Sequence, residues 1–219
     1  MSSSSRATDA TRRTLQAAAE HLPMTDTQDF TDADYGFIAR SVQRQVKAAD
    51  GRVVWELDGY GFLDGPAPDT ANPSLWRQGQ LVSKDGLYEV VPGLYQVRGF
   101  DLSNISFVEG DTGVIVIDPL ISRETAAAAF ALYTEHRGVR PVVAMIYTHS
   151  HADHVGGVKG IITQADVDAG LVPVIAPAGF MAEAVTENVF AGTAMARRAG
   201  PAGRYVRAAG VRRRERHLA

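Results

Sequence analysis

The chain has 219 residues and a formal net charge of −3, which argues against a nucleic acid as its main partner because nucleic-acid-binding surfaces are basic. It contains no cysteine, so disulfide bonds and thiolate metal ligands are excluded. Hydrophobic residues make up 45% and charged residues 21%, which predicts a globular domain large enough to bury a core. No apolar run reaches the roughly 18 residues that cross a bilayer, so no membrane span is expected.

The first third of the chain is mostly polar. Residues 1–29 are rich in serine, threonine and aspartate, which predicts a mobile N-terminal arm. They lack the apolar core of a secretory signal, which favours a cytoplasmic location and leaves export as the alternative. The segment 31–47 is predicted to form a helix capped by Thr31, because its apolar residues recur at helical spacing. Residues 59–73 are rich in glycine, proline and aspartate and are predicted to form a long loop.

From residue 94 onward the pattern changes to short strands. Runs of branched and aromatic residues at 95–98, 105–108 and 114–117 predict three strands. The segment 109–113 between the last two is rich in glycine and aspartate, so a hairpin turn is predicted there.

Helices and strands then alternate. Ser122 can cap an alanine-rich helix that Gly138 ends. The segments 141–147 and 173–176 are apolar and branched and predict two further strands, and residues 179–189 are predicted to be helical. Strand pairs followed by helix–strand units predict an α/β fold.

The segment from Thr148 to Gly157 carries the strongest functional signal. It directly follows the predicted strand 141–147, and α/β proteins commonly place their sites on loops at the carboxyl ends of strands. Imidazole nitrogens and carboxylate oxygens are suitable ligands for zinc and similar divalent metals. The candidate metal ligands are His149, His151, Asp153 and His154.

The spacing of these residues suggests two metals. His149 and His151 lie two apart in an extended segment and project to the same side. Asp153 and His154 are adjacent, so their side chains diverge and can serve a neighbouring metal. Two metals about 3.5–4 Å apart would polarise an ester and produce hydroxide near neutral pH. After the candidate ligands, the glycines at 156–157 allow a tight turn. The alternative interpretation is a polar turn whose histidines face solvent.

This loop resembles the metal motif of the metallo-β-lactamase superfamily, and further segments resemble the alkyl sulfatases of that superfamily. The resemblance covers residues 30–198 and implies an α/β fold, the metallo-β-lactamase-like αββα sandwich, of which this chain would supply the N-terminal half only. The segments that carry the narrower resemblance are APDTANPSLWRQ at 67–78, GLYQVRGFD at 93–101, EGDTGVIVIDP at 109–119 and ENVFAGTAM at 187–195.

The resemblance also implies a function. It implies zinc-dependent hydrolysis of alkyl sulfate esters, which are detergent-like small molecules, at a complete site that holds two Zn²⁺ ions. Asp153 would bind metal and hold the attacking water, and Asp118 would orient the metal loop without binding the metal itself; the alternative for Asp118 is a simple turn before Pro119. The resemblance also implies homodimers among family members. The functional alternatives are another hydrolase of the superfamily, such as a lactonase or thioesterase, and a catalytically inactive fragment.

The ligand set is incomplete by comparison with the resembled family, in which two glutamates and a histidine from later segments complete the site. Glu183 and Glu187 are predicted to be solvated charges on a helix, and His136 is predicted to be a cation at a helix end. Trp76 and Arg77 are predicted to be structural, with a role in substrate binding as the alternative.

The end of the chain departs from the family pattern. Residues 199–219, which include His217, are rich in arginine and have no apolar periodicity. We interpret them as an aberrant tail, read out of frame in a truncated gene. A basic surface tail is the alternative interpretation.

Overall fold

The structure is a computed structural model that describes residues 6–192 and residue 194. Within these residues the helices are α1 (Asp9–Glu20), α2 (Gln28–Asp34), α3 (Pro73–Val82), α4 (Arg123–Arg137), α5 (Gln164–Asp168) and α6 (Phe180–Val185). The strands are β1 (Phe37–Ala39), β2 (Gln45–Lys47), β3 (Val53–Glu56), β4 (Gly86–Val91), β5 (Leu94–Arg98), β6 (Ile105–Glu109), β7 (Val114–Ile117), β8 (Val142–Ile146) and β9 (Val174–Ile175). A 3-10 helix spans Leu57–Asp64 and a π-helical turn spans Thr186–Phe190. No helix among the described residues is both long and apolar enough to cross a membrane.

A seven-stranded mixed sheet organises the fold, in the order β1-β4-β5-β6-β7-β8-β9, beside a two-stranded sheet of β2 and β3. Strands β1 and β4 to β7 pair antiparallel, whereas β7, β8 and β9 run parallel. The parallel pair β7 and β8 is connected by α4, as expected for a helical crossover between parallel strands. The three strands, the hairpin turn and the strand–helix–strand unit predicted between residues 95 and 147 are all confirmed.

The core lies between α4 and one face of the sheet. Alternate residues of the central strands are buried there, among them Val97, Phe107 and Val116. The ring of Tyr133 on α4 stacks on Phe107 with centroids 4.3 Å apart. The opposite face keeps partly exposed residues such as Ile115. One sheet with a helix on one face is the half sandwich that the sequence predicted.

A partly buried ion pair ties the C-terminal end of α4 to the hairpin between β6 and β7. Glu109 accepts hydrogen bonds from Arg137 at 3.1 and 3.2 Å and from the Tyr133 hydroxyl at 3.0 Å. Burial alone would raise the pKa of Glu109, but the hydrogen bonds from Arg137 and Tyr133 outweigh it and hold the pKa below its ordinary value of 4.5. The stability contributed by this carboxylate is therefore present above pH 4.5 and lost as the pH falls through the lowered pKa.

Replacing Glu109 by glutamine should lower the free energy of unfolding by about 1–3 kcal/mol near neutral pH, because the Arg137 guanidinium keeps only a neutral acceptor. Below pH 4.5 the difference from the unmodified chain should shrink, since the native carboxylate is then lost as well. Urea denaturation of both chains, near neutral pH and again below pH 4.5, measures this difference in the free energy of unfolding. Glu135→Gln on the exposed side of the same helix is the control, and equal shifts in the two variants would contradict the assignment.

The N-terminal region differs from its prediction. Residues 9–20 of the segment predicted as a mobile arm form helix α1, where the Thr8 hydroxyl accepts a hydrogen bond from the Thr11 amide at 3.1 Å. Arg12 on this helix donates to Asp69 at 2.8 Å, far along the chain. Composition missed this helix because its polar residues face solvent and its small apolar stripe is built from alanines.

The helix predicted over 31–47 was wrong. Helix α2 ends at Asp34, and the chain then enters β1, which pairs with β4. Gly36 between them has a φ of +70°, and a Cβ there would lie 1.9 Å from the Glu89 carbonyl oxygen. Residues 37–39 form a strand because they pair with β4, which is distant in sequence. Local periodicity carries no information about such pairing.

Candidate metal centre

The parallel pairing of β7 and β8 brings two chain segments together at the carboxyl end of the sheet. Ile117 of β7 is opposite Ile146 of β8, and the Asp118 amide donates to the Ile146 carbonyl at 3.0 Å. Asp118 therefore lies beside Thr148, the first residue of the predicted metal loop. The placement of that loop after a strand is confirmed.

The backbone that carries Asp118 is unusual. Asp118 and Leu120 have φ values of 54° and 62°, in the left-handed region that non-glycine residues rarely adopt. Both residues are buried. Such conformations persist where the surrounding structure holds them, and they concentrate at functional sites.

The Asp118 carboxylate organises the loop through three hydrogen bonds. One oxygen accepts from the Thr148 amide at 2.8 Å. The other accepts from the Thr148 hydroxyl at 2.6 Å and contacts Nδ1 of His154 at 2.9 Å. A carboxylate can only accept, so His154 carries a proton on Nδ1 and the lone pair of its neutral ring lies on Nε2.

Thr148 links Asp118 to a second histidine and so determines which nitrogen of that ring is protonated. Its hydroxyl oxygen lies 2.8 Å from Nδ1 of His149. The single hydroxyl proton is already donated to Asp118, so the hydroxyl accepts from His149 and Nδ1 of that ring is protonated. The lone pair of neutral His149 is thereby also on Nε2. One buried carboxylate fixes the tautomers of two candidate ligands.

The three loop histidines converge. The ring centroid of His149 lies 4.1 Å from that of His154 and 4.5 Å from that of His151. Ligand-type atoms of Asp118, His149 and His154 all lie within 4.8 Å of one another. His151 is at the exposed side of the cluster, where its Nε2 lies 3.0 Å from a Glu187 carboxylate oxygen.

Asp153 completes the cluster on the side of His154. Its carboxylate lies 3.7 Å from Nε2 of His154, on the nitrogen that Asp118 leaves free. The Asp153 carbonyl oxygen accepts a hydrogen bond from the Ser103 hydroxyl. The four predicted loop residues are neighbours, but only His149 and His154 join Asp118 in the group of ligand-type atoms. Asp153 and His154 do not diverge as their adjacency suggested.

A second buried carboxylate, that of Asp101, supports the backbone near the metal loop. Asp101 accepts hydrogen bonds from the amides of Ser103 and Ile121 at 3.0 and 2.9 Å and from the Thr125 hydroxyl at 2.8 Å. Burial raises the pKa of Asp101, against the effect of those hydrogen bonds. Asp101 links the metal loop, through Ser103, to the start of α4. No local sequence signal predicts this role for Asp101, because the partners of a buried carboxylate come from distant positions.

The glycines that follow the candidate ligands pack directly against the backbone that precedes α4. A Cβ on Gly156 would lie 2.2 Å from the Ile121 carbonyl oxygen, and one on Gly157 would lie 2.0 Å from that of Pro119. Residues 155–157 form the predicted turn. Neither glycine has a positive φ, so glycine is needed there because of its contact with the backbone before α4. Gly160 is equally close to the Arg123 carbonyl, with a Cβ distance of 2.1 Å.

We expect Gly157→Ala to destabilise the chain by about 3 kcal/mol or more, at the upper end of overpacking effects, because backbone atoms must move to admit the methyl group. Gly61→Ala is the matched control, since no atom lies within 4 Å of a Cβ at that exposed position. Urea denaturation followed by circular dichroism gives both values. A Gly157→Ala midpoint equal to that of the control would show that the loop does not press on residues 119–122.

The remaining candidates of the sequence analysis lie elsewhere or have structural partners. The Trp76 indole donates to the Gly65 carbonyl at 3.0 Å, and Arg77 binds Asp29 through Nε at 3.0 Å. Both roles are structural, as predicted. His136 lies in the last turn of α4. The segment 199–219, with His217, lies outside the described residues.

Sequence comparison identifies long relatives. The chain is 54% identical over 195 residues to a linear primary-alkylsulfatase of Pseudomonas sp., a match that covers 88% of this chain and 29% of the relative. It is 49% identical over 201 residues to the alkyl/aryl-sulfatase BDS1 of Saccharomyces cerevisiae, covering 90% of this chain and 31% of the relative. The chain therefore spans about 30% of the length of these curated relatives.

The fold is also similar to that of a solved alkylsulfatase structure. The fold superimposes on the stereoselective inverting sec-alkylsulfatase Pisa1 from Pseudomonas sp. with a TM-score of 0.83 and 52% identity, covering 89% of this chain and 31% of that one. The family model described as "Metallo-beta-lactamase superfamily" matches residues 98–217, more than half of the chain and the part that holds the metal loop. With its α/β sheet and its histidine-rich loop at the end of β8, this chain belongs to the metallo-beta-lactamase superfamily.

Proposed function

We propose that this chain carries the first part of the catalytic site of a metal-dependent alkyl sulfatase, which hydrolyses sulfate esters of alkyl alcohols. The observation that carries the proposal is the Asp118–Thr148 network, which leaves Nε2 of both His149 and His154 as free lone pairs in one cluster. The relatives, a primary-alkylsulfatase and an alkyl/aryl-sulfatase, supply the substrate class.

The donor set fits a divalent metal such as zinc. It consists of imidazole nitrogens and the Asp153 carboxylate, which zinc accepts as ligands. Each of His149 and His154 also has its second ring nitrogen hydrogen-bonded to a protein oxygen, as is usual for metal-bound histidines. The Asp118 oxygens are already occupied by Thr148 and His154. We therefore assign Asp118 a supporting role and keep His149, His151, Asp153 and His154 as the proposed ligands of a site for two Zn²⁺ ions.

When bound, the metals would polarise the sulfate ester and lower the pKa of a bound water. The residues of the chain would hold the site in place. Asp118 holds the protons on Nδ1 of His154 and, through Thr148, on Nδ1 of His149. Asp153, whose carboxylate is partly exposed beside His154, is proposed to accept a hydrogen bond from the attacking water and orient it. Ser103 anchors the backbone of Asp153.

The test restores the length of the relatives. The chain would be joined in frame to the remaining part of the Pseudomonas primary-alkylsulfatase, and sulfate release from dodecyl sulfate would be measured after zinc loading. We expect turnover that His149→Ala abolishes, with His136→Ala as the control because that histidine lies at the far end of α4. Turnover of a lactone or thioester in place of the sulfate ester would overturn the substrate assignment.

A further inference from the structure

Glu187 lies close to the metal loop although the sequence suggested a solvated helix charge. One carboxylate oxygen is 3.0 Å from Nε2 of His151, and the other is 3.5 Å from the Ser150 hydroxyl. The Glu187 side chain is 26% exposed, about half the exposure of His151 at 52%. Glu183, one helical turn earlier, is exposed.

The fold explains how Glu187 reaches this position. Phe180 at the start of α6 stacks on Tyr147, the residue between β8 and the metal loop, with ring centroids 5.5 Å apart. Helix α6 is thereby held against the end of the sheet. The chain then continues as the π-helical turn 186–190, which carries Glu187. Single π-helical turns often occur at functional sites, where they re-aim a side chain.

We propose that Glu187 is a positioning residue for His151. At 3.0 Å its carboxylate is within reach of a hydrogen bond from Nε2–H, which would leave the lone pair of the neutral ring on Nδ1 and restrain the ring plane. In this proposal a carboxylate decides which ring nitrogen of each histidine keeps its lone pair. Asp118, partly through Thr148, leaves the lone pairs of His149 and His154 on Nε2, whereas Glu187 leaves that of His151 on Nδ1. This inference rests on the proposed function only in taking His151 to be a metal ligand.

The effect on metal binding follows from preorganisation. His151 is the most exposed of the loop histidines, so an unrestrained ring would sample several rotamers and both neutral tautomers. Outer partners of ligating histidines typically change metal affinity by roughly 10- to 100-fold. Glutamine at 187 keeps a neutral acceptor for the Nε2 proton, whereas alanine removes it.

The experiment uses the 219-residue chain and Co²⁺ as the probe, followed by its visible absorption. Glu187→Ala should weaken Co²⁺ binding roughly 10-fold or more, Glu187→Gln should retain most of the affinity, and Glu183→Ala is the matched control. In a His151→Ala background, Glu187→Ala should have no further effect. A Glu187→Ala affinity within about twofold of the control, or an equal loss in the His151→Ala background, would overturn the proposal.

A second readout needs no metal. Nitrogen-15 chemical shifts of the His151 ring, assigned by comparison with His151→Ala, should show Nε2 protonated in the neutral ring, and this preference should fall in Glu187→Ala. A ring protonated on Nδ1 would refute the positioning role, even where Co²⁺ affinity is too weak to measure. Neither readout involves a sulfate ester, so a failure of the proposed hydrolysis is distinguished from a failure of this inference.

Discussion

The 219 residues by themselves, purified and loaded with zinc, should release sulfate from dodecyl sulfate at a rate indistinguishable from the uncatalysed background. An open site with two metals requires about three protein ligands for each metal to fix its geometry and leave a place for substrate. The loop offers His149, His151, Asp153 and His154. Within residues 6–192 and 194 the structure adds Asp118, whose oxygens already bond Thr148 and His154, and Glu187, which contacts His151. The expected metal content by elemental analysis is accordingly low, below two zinc ions per chain.

The 219-residue chain is compared with the in-frame fusion to the remaining part of the Pseudomonas primary-alkylsulfatase. The fusion should turn over substrate, and the unextended chain should not, when both are measured at equal zinc and protein concentrations. Sulfate release by the unextended chain that His149→Ala abolishes would contradict the expectation. Two tightly held zinc ions per chain would do the same, because they would require ligands beyond those identified in the described residues.

Replacing Asp118 by asparagine should reduce metal affinity by roughly 10- to 100-fold while leaving the fold in place. An asparagine side chain has one acceptor oxygen and one amide donor. It cannot accept from the Thr148 amide, the Thr148 hydroxyl and His154 Nδ1 together, so at least one of these three hydrogen bonds is lost and the support of the two rings is weakened. Asparagine tolerates the left-handed backbone conformation of position 118, whose φ is 54°, better than most residues.

Co²⁺ titration of the 219-residue chain measures this loss, and circular dichroism verifies the fold. Asp111→Asn in the exposed hairpin turn is the control, since it makes the same chemical change away from the loop. Equal affinities of the two variants would show that Asp118 has only the turn-forming role that its place before Pro119 also allowed. A parallel loss in Thr148→Val, which removes the hydroxyl that joins Asp118 to His149, would support the network.

Several features could be predicted from sequence because their signals are local. Helix α4 begins where the Ser122 hydroxyl accepts from the Thr125 amide and ends at Gly138, and both signals lie within the helix or next to it. The run of branched residues in β8 and the histidines that follow it predict a site at the end of a strand. The short strands β1 to β3, of three or four residues each, are too brief to show a periodicity of two.

The candidate metal site and its place at the end of a strand could therefore be predicted from sequence alone, because ligand chemistry and strand patterning depend on contiguous residues. The tertiary structure decided how that site is held. Parallel pairing of β7 with β8 puts Asp118 beside Thr148, thirty positions away, and the stacking of Phe180 on Tyr147 brings Glu187 to His151. The close contact of Gly157 with Pro119 likewise exists only in the folded chain. These contacts depend on how separate elements pack, and sequence spacing carries no direct record of that packing.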